Sequence, residues 1–189
     1  MVKLYRKKVS YEKNKPAATS NQVTGTMANS SHTYSVAKNI SANQYSLTGY
    51  TFNGWNTIAN GGGTAYANSA SVINLTTVNG ATVPFYAQWL PHTYTVAYNQ
   101  NKPANASTTV TGTTENSSHI YDVAKNITPN EYALTGYTFK GWYTEAGVAF
   151  DFENTAITES IELFAKWEEI AEDPTVEIAL EKSSVKLDS

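Results

Sequence analysis

Cysteine is absent from the 189 residues, which excludes disulfides and thiolate metal sites. Charge is scarce as well: Asp, Glu, Lys and Arg make up 15% of the chain, against about a quarter in ordinary globular proteins. No stretch approaches the roughly 18 apolar residues of a membrane helix, and no apolar run follows Met1. The net charge of −3 gives no basic footprint for nucleic acid. What is abundant is Thr, Ser, Asn and tyrosine, with 13 tyrosines and a 12% aromatic share. Enough apolar surface is present to offset the entropy of ordering, so the chain reads as folded and β-rich. A thiol-free chain fits either a cytosolic protein or a bacterial surface protein.

The chain repeats itself. Val9-Ser-Tyr11 matches Val96-Ala-Tyr98, and Asn14-Lys-Pro-Ala17 matches Asn101-Lys-Pro-Ala104. Asn29-Ser-Ser-His32 returns as Asn116-Ser-Ser-His119, and Leu47-Thr-Gly-Tyr-Thr-Phe52 with Gly54-Trp55 returns as Leu134 to Phe139 with Gly141-Trp142. The offset is 87 without a gap, as from Lys15 to Lys102, then 78 at the closing Trp89 and Trp167. Nine residues are therefore missing from the second copy, around the counterparts of Asn60-Gly-Gly-Gly63 and Asn79-Gly80. Length change is tolerated in exposed loops, so the deletion marks loops and the ungapped part a shared frame.

Within that frame Tyr94–Tyr98, Tyr50–Trp55, Val83–Trp89 and Ile161–Trp167 alternate as half-buried strands do. Ala37–Tyr45 is the one segment with room for a short helix. Each copy is near the lower size limit for an independent core. The aromatic anchors are Phe52, Trp55 and Trp89 in the first, and Phe139, Trp142 and Trp167 in the second. The expected division is an N-terminal segment 1–8, repeat domains 9–91 and 92–168, and a linker with the start of a further β domain in 169–189. Charge differs between copies: three lysines and one acid, Glu12, in the first, but four lysines against eight acids in the second. Most of this charge reads as solvated surface.

The frame running from Tyr94-Thr-Val-Ala-Tyr-Asn99 through Leu-Thr-Gly-Tyr-Thr-Phe-x-Gly-Trp to Tyr86-Ala-Gln-Trp89 resembles the Listeria–Bacteroides repeat. That is the B-repeat module of internalin-B-type bacterial surface proteins. The resemblance covers both copies, from Val9 to Trp167. It implies a mainly β (α+β) chain of two small β-grasp-like domains, each a mixed sheet with at most one short helix. It further implies an extracellular stalk or adhesin segment, on the cell surface or secreted, within a larger and usually cell-wall-attached protein. Val176–Leu180, followed by Glu181–Leu187, resembles the first two strands of a bacterial immunoglobulin-like domain. The chain is accordingly read as a piece of a multidomain protein, for which missing export and anchoring signals carry no information.

Catalysis finds little support. Copy one has a single acid, so no carboxylate pair can be common to both repeats; Glu145 and Asp151 in copy two read as an ordinary polar turn. His32 and His119 read as exposed turn histidines, with no acid nearby in copy one to orient the imidazole. Asn60-Gly-Gly-Gly63 lacks the Gly-Lys-Ser/Thr of a phosphate loop. Lys38-Asn39 and Lys125-Asn126 raise an intramolecular isopeptide crosslink, but its obligatory buried acid has only Glu12 as a candidate in copy one. No catalytic residue, cofactor or metal site is assigned. Tyrosine is the feature most open to function, since 13 exceed what two small cores bury. Tyr66 and Tyr143 are the candidate ligand contacts. The expectation is a non-catalytic surface module, a monomer flanked by neighbouring domains, that spaces or adheres to host-cell or matrix protein or glycan. The alternative is a carbohydrate-binding module of a secreted or surface-attached enzyme. No nucleic acid and no membrane insertion is expected.

Overall fold

The computed structural model describes residues 5–153 and 155–171. The immunoglobulin-like resemblance of the tail lies outside them. Two compact units emerge: one holds residues up to Tyr94 with Ser118–Lys125 and Ala156–Glu159, the other Thr95–Ser117, Asn126–Thr155 and residues from Ser160 on. Among the described residues there is no helix.

The first unit is built on a five-stranded sheet. Its strands are β1 (Arg6–Glu12), β2 (Ser30–Thr33), β4 (Tyr50–Asn56), β5 (Ala65–Tyr66) and β7 (Thr82–Pro91), in the order β2-β1-β7-β4-β5. A two-stranded ribbon of β3 (Lys38–Asn39) and β6 (Ser71–Val72) accompanies it. The second sheet, β10-β11-β8-β9, uses β8 (Thr93–Asn99), β9 (Ser117–Ile120), β10 (Tyr137–Tyr143) and β11 (Ile161–Glu169). Each sheet is mixed, because the first and last strands of a repeat lie side by side in parallel: β1 with β7, and β8 with β11. A parallel pair needs a long crossover. Here the whole interior of the repeat supplies it.

Alternation decides which side chains face inward. In β1, Lys7, Val9 and Tyr11 are buried while Arg6, Lys8 and Glu12 are exposed; in β8, Val96 and Tyr98 are buried while Thr93 and Thr95 are exposed. The Phe-x-Gly-Trp motif breaks the period. Phe52 and Trp55 are three residues apart and would occupy opposite faces of a regular strand. A bulge between them, opposite Trp89 and Ala87, brings both rings to one side. Gly54 takes φ +96° and Gly141 φ +123° at the two bulges, a region closed to most L-residues.

The bulge assembles the same aromatic cluster twice. In the first unit Trp55 meets Tyr11 and Phe52, each at 5.0 Å between centroids, and Tyr45 at 6.1 Å; Phe52 meets Trp89 at 5.9 Å. In the second, Trp142 meets Tyr98 at 4.7 Å, Phe139 at 5.2 Å and Tyr132 at 6.0 Å, and Phe139 meets Trp167 at 5.8 Å. The closing tryptophans are tied alike: Trp89 Nε1 donates to Lys13 O at 2.9 Å, and Trp167 Nε1 to Gln100 O at 2.8 Å.

The short helix allowed over Ala37–Tyr45 does not form. Lys38–Asn39 pairs with Ser71–Val72, and Ile40 N donates to Ala70 O. Asn43 folds onto its own backbone, its Oδ1 accepting from Tyr45 N and its Nδ2 donating to Tyr45 O, both at 2.9 Å. Such local bonds compete directly with a helical turn. Asn130 makes the same pair with Tyr132. The short helix that the resemblance allows is thus absent among the described residues, and what stands is a mixed sheet with long irregular crossovers.

Candidate functional site

The two tyrosine candidates have different surroundings. Tyr66 lies on β5, stacked on Phe85 at 4.8 Å with the rings 15° apart, and packs against the first unit's core. Its ring serves the sheet. Tyr143 ends β10 opposite Phe164 and borders an open cavity of about 310 Å³, shared with Asn101, Thr144, Glu145 and Lys166. Of the six aromatic anchors, Trp55, Trp142 and Trp167 are buried, while Phe52, Trp89 and Phe139 are half-buried within the clusters described above.

The histidines are placed otherwise than a turn reading expects. His32 and His119 sit on β2 and β9 and are 5% and 4% exposed. Ser-x-His puts Ser30 and His32 on one strand face, and that face turns inward. His32 Nε2 is 2.8 Å from Ser30 Oγ, which is 2.8 Å from Tyr11 OH; that hydroxyl accepts from Ser41 N at 2.7 Å. The second unit has Tyr98 OH 3.0 Å from Ser117 Oγ, accepting from Thr128 N at 3.1 Å. Burial holds both imidazoles below the ordinary histidine value. Lys38 near His32 and Lys125 near His119 add to it. His32 Nδ1 is buried without a hydrogen-bond partner, so a second ring proton there would have no acceptor. A recurring Ser-x-His within a strand period was the available signal, but its polarity argued for solvent.

No acid lies in the Tyr11–Ser30–His32 relay of the first unit, so it is not a nucleophilic triad. Its neighbour across the strand pair is Lys7, 2% exposed, whose Nζ sits 4.3 Å from the centre of the Tyr34 ring. Glu145 and Asp151 are both exposed, and Asp151 Oδ1 caps Glu153 N at 3.0 Å. Lys38 Nζ and Lys125 Nζ donate to Ser31 O and Ser118 O, each at 2.8 Å, rather than reaching an asparagine side chain. No group of three or more His, Asp or Glu suited to a metal occurs among the described residues. Nor is any helix there long and apolar enough to cross a membrane.

Duplicated aromatic clusters, duplicated relays and duplicated parallel pairs make the repeat a structural unit as well as a sequence pattern. The profile of the Listeria–Bacteroides repeat domain matches twice in tandem, over residues 8–88 and 94–166. The chain belongs to that family. Two proteins similar to this chain come from Evansella cellulosilytica. One, named "Putative Gly-rich membrane protein", is 33% identical over 130 residues, covering 65% of this chain and 14% of its own length. The other, named "Putative membrane protein", is 36% identical over 85 residues, covering 44% of this chain and 11% of its own. The chain thus spans a small part of the relatives it matches. No solved structure matches it.

Proposed function

We propose that this pair of Listeria–Bacteroides repeats is a non-catalytic, extracellular module of a bacterial surface protein. It acts as a stalk or spacer and, through repetition, in weak multivalent adhesion to host or matrix ligands. One observation carries the reading: what the two repeats share is their packing. Trp55 and Trp142 each gather three equivalent rings, whereas of the two candidate tyrosines Tyr66 is stacked into its sheet and Tyr143 borders a cavity. A glycan-binding module that used both copies would present equivalent aromatics from each. Relatives many times longer than the matched region suit a spacer built by tandem addition of such units.

The test is binding of the purified chain to arrays of matrix proteins and glycans. The expected result is selective, saturable matrix-protein binding that strengthens on multivalent display, or silence to about millimolar, a scale of roughly −4 kcal/mol. Saturable glycan binding by the monomeric chain would replace this reading with the carbohydrate-module one.

A further inference from the structure

The nine-residue deletion has a geometric consequence in the second unit. In the first, the loop between Thr57 and Thr64 folds back across the sheet. Asn14 Nδ2 donates to Ala87 O at 2.8 Å and also to Ala59 O at 2.9 Å, and Gln88 Nε2 reaches the same Ala59 O at 3.4 Å. Buried Asn56 fastens the loop: its Nδ2 donates to Gly61 O at 3.0 Å, and its Oδ1 accepts from Ile58 N at 3.0 Å and Gly63 N at 2.9 Å. Gly61 takes φ +80° in this loop, a backbone conformation that favours glycine.

The second unit keeps the ground and loses the cover. Asn101 stands where Asn14 does, with φ 42° against 45°, and its Nδ2 makes the equivalent bond to Ala165 O at 2.9 Å. The hairpin closed by Thr144 N and Val148 O replaces the one closed by Thr57 N and Thr64 O, and is three residues shorter. Tyr143 replaces the fastening Asn56, and Lys166 replaces Gln88. No loop carbonyl among the described residues takes the second amide hydrogen of Asn101, which is exposed where Asn14 is half-buried. What remains is the 310 Å³ cavity, walled by Tyr143 and Phe164, with Lys166 and Glu145 at its edge.

We propose that this groove is a peptide-binding site for a small-residue, glycine-containing turn of a partner protein. A backbone carbonyl of that turn accepts from Asn101 Nδ2 and Lys166 Nζ, as Ala59 O does from Asn14 and Gln88 in the first repeat. The chain's own loop shows the equivalent pair, Asn14 and Gln88, taking a peptide carbonyl from a turn whose Gly61 has φ +80°. Tyr143 and Phe164 supply the apolar walls that turn residues can cover. The site goes beyond a passive stalk, and it belongs to one repeat only.

The probe is the peptide Thr-Ile-Ala-Asn-Gly-Gly-Gly-Thr, the sequence of residues 57–64, closed by a disulfide between added terminal cysteines to hold the turn. It is titrated into the isotope-labelled full chain and followed by NMR. Saturable shifts are expected at the Asn101 side-chain amide, Tyr143, Thr144 and Lys166. Lys166→Glu should weaken binding at least threefold. Exchanging Thr144–Val148 for the sequence of residues 57–64, together with Tyr143→Asn, should fill the groove and abolish binding. If that exchange variant loses its dispersed spectrum, Lys166→Glu alone decides. No shifts up to about 10 mM peptide, shifts unaffected by Lys166→Glu, or binding that survives a folded exchange variant would overturn the proposal. So would the same residues responding to N-acetylglucosamine or maltose oligosaccharides and not to the peptide. Because the readout is local to the second unit, its failure leaves the surface-module reading intact, and a silent ligand array does not decide it.

Discussion

Tyr11 and Tyr98 illustrate how much one atom can hold. Each hydroxyl accepts a backbone N–H from a crossover segment and lies against a serine, and each main-chain carbonyl accepts from a second tyrosine, Tyr45 or Tyr132. Tyr11→Phe leaves Ser41 N without its acceptor at little change in volume, so a loss of about 1–3 kcal/mol is expected in urea unfolding. Tyr98→Phe should cost a similar amount. Histidine adds a pH dependence whose sign follows from burial. Burial holds the folded-state pKa values of His32 and His119 below that of an ordinary histidine, about 6.5. Unfolded chains therefore bind protons that the native state refuses. Stability is complete above about pH 6.5 and declines as pH falls below it, by at most about 1.4 kcal/mol per pH unit for each histidine until its folded pKa is reached. Urea midpoints measured from pH 7.5 to 5 should fall, and His32→Gln should flatten the slope. The burial of these histidines was not legible in the sequence. A Ser-Ser-His segment scores as polar, and only the pairing of β2 with β1 turns that face inward.

The Phe-x-Gly-Trp bulge is the element on which both cores depend, and its two copies differ in a measurable way. A Cβ at Gly54 would come within 2.8 Å of Tyr66 O, while at Gly141 the nearest contact is Tyr143 Cε2 at 3.9 Å. Both positions carry a left-handed φ, so alanine is strained at either. Gly141→Ala should cost about 1–2 kcal/mol from the backbone alone. Gly54→Ala should cost more, because β5 must also shift. Thermal unfolding of the two variants gives the order, and equal losses would show that the β5 contact carries no weight. The strands β7, β8 and β11 were legible because their own residues alternate, and β4 because Tyr50–Phe52 does so up to the bulge. The pairing of Lys38–Asn39 with Ser71–Val72 was not: two residues carry no period, and their partner lies more than 30 positions away.

At the scale of the whole chain, charge contributes little to stability. Among the described residues the ion pair is Lys140 Nζ with Glu168 Oε2 at 2.8 Å, between side chains 48% and 64% exposed. Exposed pairs are screened and weak. Raising NaCl from 0.05 to about 1 M should therefore lower the unfolding free energy by less than about 0.5 kcal/mol. A larger fall would mean that unequal charge on the two copies matters more than packing does.

Repetition, β-richness and family were determined by the sequence itself. The 87-residue offset, the alternating aromatics and the Phe-x-Gly-Trp spacing are local or self-referential patterns, readable without knowing what touches what. Tertiary structure decided what depends on distant partners. It buried a Ser-x-His face, stacked Tyr66 on Phe85, and turned a missing stretch of loop into an open groove beside Tyr143. A deletion is visible in a sequence. Whether it uncovers anything depends on where the retained loop would have lain, and that is fixed by side-chain bonds such as those of Asn14, which join residues far apart in the chain.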